Sequence, residues 1–125
     1  MRAVANLPPI EIPADTTLEW WLAVMAFVER GKAEQLMAEM GPEHFYSPKA
    51  WEVITASVGL DGDLEADLQA VAERAGVEPA MLRHFVDSRP VYSDRSRSIQ
   101  RQVIALAEKR WRVYELANEL LGIAA

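Results

Sequence analysis

Residues 67–86 read Asp-Leu-Gln-Ala-Val-Ala-Glu-Arg-Ala-Gly-Val-Glu-Pro-Ala-Met-Leu-Arg-His-Phe-Val, and they govern how the rest of the chain is read. Two helices joined by a sharp turn impose few but positional demands. The first helix needs a small residue where the second crosses it, and Ala72 stands there. Four positions on, the turn needs a residue that tolerates positive φ, and Gly76 supplies it. Val77 is suited to anchor the turn in the core. Pro79 falls in the first turn of the second helix, where its missing N–H costs nothing. Leu82 and Phe85, three apart, form the face that this helix is expected to bury.

Working back toward the N-terminus, Asp63 is placed to cap the first of these helices, which carries Leu64, Leu68, Val71, Ala72 and Ala75 on one side. Asp61, Asp63 and Glu65 have the look of a calcium loop, but that pattern needs a glycine sixth and a glutamate twelfth, and Ala66 and Ala72 stand there. Ser47-Pro48 opens an earlier helix with Trp51, Ile54 and Val58 on one face. Ala33–Met40 is a short helix closed by Gly41. Thr16 and Glu19 have capping-box spacing for a helix running through Trp20, Trp21, Val24, Phe27 and Val28 to Gly31. Pro8, Pro9 and Pro13 make residues 1–15 an extended arm.

On the C-terminal side, Arg89-Pro90 ends the second helix, and a long helix is expected from about Asp94 with no glycine or proline before Gly122. Ile99, Val103, Leu106, Arg110, Val113, Ala117 and Leu120 follow each other at coiled-coil spacing, with Arg110 the charged exception. A second stripe, Ile104, Ala107, Trp111 and Tyr114, lies beside it. Two stripes ask for two neighbours: the helix's own domain and a second chain through 99–121, or the domain alone. The expected architecture is all-α: an arm over 1–15, a compact multi-helix domain over 16–92 containing the helix-turn-helix, and a long C-terminal helix over 93–125.

The chain has 125 residues, half of them hydrophobic, enough for one ordinary domain with its own core. Without cysteine there is neither a disulfide nor a thiolate metal site. No apolar run reaches the roughly 18–20 residues of a membrane span, and the first residues do not resemble a secretory start, so a cytoplasmic protein is expected. The net charge of −6 hides an asymmetry: residues 1–82 hold five Lys/Arg against fourteen Asp/Glu, whereas residues 83–125 hold eight against five. No nucleophile–base pair, glycine-rich phosphate loop or metal-ligand spacing stands out, and His44 and His84 are widely separated. Neither catalysis nor a cofactor is indicated. The four tryptophans read as core or interface.

The segment Leu68-Gln-Ala-Val-Ala-Glu-Arg-Ala-Gly-Val77, continued by Leu82 and Phe85, resembles the helix-turn-helix of lambda-repressor-type DNA-binding domains over about twenty residues. That resemblance implies a recognition helix at 79–86 entering the major groove, with Ala80, Met81, Arg83, His84 and Asp87 outward. It also implies a phosphate contact from Gln69. Arg83 is the candidate for reading guanine through O6 and N7, or else a partner of Asp87. Arg89, Arg95, Arg97 and Arg101, with Ser93, Ser96 and Ser98, are candidates for phosphate. Two positions depart from the family pattern: Glu78 stands where serine or threonine usually caps the second helix, and Pro79-Ala80 offers no hydrogen bond to a base.

Two functions follow. One is binding of double-stranded DNA, as a small regulator or a phage-type DNA-recognition subunit. The other is a non-catalytic helical adaptor or inhibitor that holds a protein partner through its acidic N-terminal half.

Overall fold

The computed structural model describes residues 11–60, 62–91 and 95–124. Six helices follow in order: α1 (Thr16–Val28), α2 (Lys32–Glu39), α3 (Pro48–Ala56), α4 (Leu64–Ala75), α5 (Pro79–Ser88) and α6 (Arg95–Ala124). A single 3-10 turn, Pro42–His44, lies between α2 and α3, and no strand occurs among the described residues. No described helix is long and apolar enough to cross a membrane. Of the arm expected over 1–15, residues 1–10 lie outside the described residues, and 11–15 form no regular element.

α1 is the hub. Leu22, Ala23 and Val24 are fully buried, and Met25, Ala26 and Phe27 nearly so. A helix apolar on every side must be surrounded, and α1 touches all five other helices. Each buried Leu or Val removed from water contributes about 1.5–3 kcal/mol, so this helix organises the core. The opening of α1 differs from the Thr16/Glu19 capping box. Asp15 is the cap, its Oδ1 accepting from the Leu18 amide at 3.2 Å. Glu19 is instead buried, and its carboxylate accepts from the amides of Tyr46 at 3.0 Å and Ser47 at 2.8 Å. A side chain from the middle of the core thereby fixes the start of α3, because the Ser47 side chain makes no cap bond.

Two further expectations shift. Gly41 is extended at φ −141, and the left-handed glycine of this region is Gly31, at φ 76, which opens α2. In α3 the buried residues are Ala50, Val53 and Ile54, while Trp51 is half-buried and Val58 exposed. The helix ends at Ala56, so Val58 no longer lies on its face.

α6 runs past Gly122 to Ala124. Its first four turns pack on α1 and on the 3-10 turn. Ile99, Val103 and Ala107 are buried, so both predicted stripes serve the chain's own core there. Arg110, the charged member of the seam, is 3% exposed. Its guanidinium donates to the Pro13 carbonyl at 3.0 Å and the His44 carbonyl at 3.1 Å, tying α6 to two loops.

Candidate nucleic-acid interface

The turn between α4 and α5 has the form that the sequence spacing asks for, while the buried face of α5 differs from it. Asp63 caps α4, its Oδ1 accepting from the Ala66 amide at 2.8 Å. Gly76 is left-handed at φ 68, and the amides of Gly76 and Val77 both donate to the Ala72 carbonyl. Lys49 of α3 donates from Nζ to the Ala75 carbonyl at 3.0 Å, a cation at the negative end of α4. α5 begins after Glu78, whose side chain makes no cap bond. The buried pair on α5 is Leu82 and Val86, four apart, rather than Leu82 and Phe85. Phe85 is half-buried and stacks on Trp20, ring centroids 5.8 Å apart. Trp21 Nε1 donates to Ser88 Oγ at 3.1 Å, fastening the far end of α5 to α1.

Outward from α5 stand Ala80, His84 and Asp87, all exposed. The His84 ring meets the Phe85 ring edge-on at 5.2 Å. Met81 packs against the core. Arg83 is paired with Glu65 in the first turn of α4, not with Asp87. The Glu65 carboxylate holds the Arg83 guanidinium above the ordinary arginine range. This pairing follows from the fold, since the crossing of α4 and α5 sets the start of one helix beside the middle of the other. Eighteen residues of separation hide it from the sequence. Gln69 is exposed on α4.

The arginines after α5 lie elsewhere. Arg89 is half-buried, donates to the Val86 carbonyl, and shares a hollow with Met25, Val28 and Glu29 at the end of α1. Arg95, Arg97 and Arg101 are exposed on the first turns of α6. Arg97 and Arg101 line a groove against Gln35 and Glu39 of α2. Ser96 is buried and accepts from Lys32 Nζ at 3.2 Å, and Ser98 accepts from Gln102 at 3.2 Å. Ser93 lies outside the described residues. The seven predicted residues are thus not brought together: Gln69, Arg83 and His84 lie on α4–α5, Arg89 at the end of α1, and Arg95, Arg97 and Arg101 on the first turns of α6, the last two beside α2.

Electrostatically the outer surface of α4–α5 is anionic. Asp63, Glu65, Glu73, Glu78 and Asp87 are exposed there, against Arg74 and Arg83. Arg74 donates to the Ala56 carbonyl at 3.1 Å and Arg83 is held by Glu65, so both cations already have partners within the molecule.

No protein-family model matches the chain, and neither a curated protein nor a solved structure matches it significantly.

Proposed function

We propose that the protein is a non-catalytic DNA-binding protein that presents the outer face of α5 to the major groove, with the exposed Arg95, Arg97 and Arg101 of α6 meeting flanking phosphates. The observation that carries this reading is the α4–α5 pair. Its turn is a left-handed glycine, its inner face is buried through Leu82 and Val86, and its outer residues Ala80, His84 and Asp87 are exposed. Exposed ion pairs are weak and exchangeable, so Arg83 can leave Glu65 for a guanine edge. Phosphate contacts supply affinity without sequence information, and the exposed arginines of α6 suit that role.

A second reading, the adaptor that binds a basic protein partner, is favoured by the acid-rich outer surface of α4–α5. Phosphate approaching that surface meets Glu78 and Asp87 before it meets a free cation. Binding to random-sequence duplex DNA across a salt series separates the two readings, with wild type measured beside Arg95/Arg97/Arg101→Ala. DNA binding requires affinity that falls steeply with salt, and a slope that flattens by about one unit for each phosphate deprived of its arginine. No binding at low salt removes the DNA reading and leaves α4–α5 as a scaffold.

A further inference from the structure

Arg97, Gln100, Arg101 and Ile104 stand three and four apart on α6, so they share the helix face that looks onto α2. With Gln35 and Glu39 of α2 they line a groove of about 420 Å³, a volume in the range of small-ligand sites. Two arginines four apart on one helix repel each other. Among the described residues neither guanidinium has a carboxylate within ion-pair distance. Gln35 Nε2 donates both to the Glu39 carboxylate and to Gln100 Oε1, the latter at 3.1 Å. A carboxylate only accepts, so it fixes which end of the Gln35 amide turns toward it, and Gln35 in turn fixes Gln100. Gln100 is 7% exposed, and its Nε2 has no partner among the described residues. No side-chain nitrogen described is sealed from solvent without a partner, so this NH₂ opens onto the groove that Gln100 lines. One turn back, Lys32 Nζ donates to Ser96 Oγ at 3.2 Å and brings a third cation to the same face.

We propose that the groove between α2 and α6 binds the phosphate group of a small phosphate monoester, clasped by Arg97 and Arg101 and capped by the Gln100 side-chain amide. Charge selects this class. Guanidiniums pair with carboxylate and phosphate oxygens in two-pronged fashion, and two of them match the double negative charge of a monoester. A carboxylate or a backbone phosphodiester brings one charge and leaves one arginine unanswered. The free amide N–H groups of Gln100 supply neutral donors to the remaining oxygens. Ile104, one turn beyond Gln100, gives the organic side of the ester an apolar contact. Glu39 opposes the ligand's charge, but its carboxylate is engaged by Gln35 and holds the donors in their outward orientation. The site stands apart from α5 and does not rest on duplex binding there.

Titration of the full chain with glycerol 3-phosphate, followed by proton–nitrogen NMR of the Gln100 side-chain amide, tests this. Dimethyl phosphate, a phosphodiester, and acetate are titrated alongside at matched ionic strength. The expected result is a saturable shift of the Gln100 amide with the monoester and none with the other two. Arg97→Ala and Arg101→Ala should each weaken binding about tenfold, the effect of losing one charge-assisted pair. Arg112→Ala, the same loss of charge on an exposed part of α6, should leave it unchanged. Absence of saturation overturns the proposal. So do equal shifts from all three anions, or equal weakening by Arg112→Ala, since either means general screening of surface charge. Duplex DNA that moves the Gln100 amide while glycerol 3-phosphate does not gives the arginines to the DNA backbone; it removes this site and leaves the reading of α5 standing.

Discussion

The two halves of α6 carry the same pattern and meet different surroundings. Over Arg95–Arg110 the apolar stripes close onto α1 and the 3-10 turn, and Ile99 and Val103 are buried. Past Trp111 the pattern continues unchanged, yet Leu116, Leu120 and Leu121 are mostly exposed. Periodicity reports that a helix has an apolar face and is silent about what covers it. The largest test of this contrast places one substitution in each half. Val103→Asp buries an unpaired carboxylate and should cost about 4 kcal/mol or more, enough to unfold a marginal domain. Leu120→Asp should change the stability of the diluted monomer by no more than about 0.5 kcal/mol. Chemical denaturation of both at low protein concentration measures the difference, and equal losses would mean that the body covers the distal half too.

Arg110 marks the border between the halves. In the sequence it is the flaw in the seam; in the fold it closes the proximal half by donating to the Pro13 and His44 carbonyls, with its guanidinium 5.7 Å from the Tyr46 ring. Arg110→Met keeps the apolar stem and removes the donors, so two carbonyls at the base of α6 lose their partners. A loss of about 2–4 kcal/mol is expected, against almost none for Arg112→Met on the exposed side. If the two variants melt together, the bonds at Arg110 contribute nothing net and the border lies elsewhere.

How much of the fold is legible in the sequence depends on how local the determining physics is. Asp63 capping α4 and Gly76 turning out of it rest on neighbours within four residues, and both stand where the sequence places them. Glu19 misleads because capping-box spacing is also local, whereas its true partners, the amides of Tyr46 and Ser47, are 27 and 28 residues away. The same limit applies at the candidate interface. Arg83 is legible as an outward residue of α5, but Glu65 becomes its partner only when α4 and α5 cross. Arg89, Arg95, Arg97 and Arg101 are close in sequence, and that closeness suggests one basic face. Instead Arg89, just past the end of α5, turns to the end of α1, while Arg97 and Arg101, on a different helix, face α2.

The smallest effect concerns the proximal half where α2 meets α6. Lys32 is buried there, and its Nζ donates to Ser96 Oγ. Burial pushes its ammonium below the ordinary 10.5, with Arg97 adding to the fall and Glu29 and Glu39 opposing it. The unfolded chain therefore holds this proton at pH values where the folded chain has released it. Between the lowered value and 10.5 the unfolded state binds more protons, so stability must rise with pH in that window. Below the window the cost of keeping Lys32 charged is fully present. Lys32→Gln removes the proton from both states, so the difference between wild type and variant should shift in favour of the wild type as pH climbs from neutral toward 10.5. Parallel denaturation curves over that range would mean that water reaches the ammonium in the folded protein. In that case the proximal half of α6 is less closed against α2 than the buried Ser96 implies.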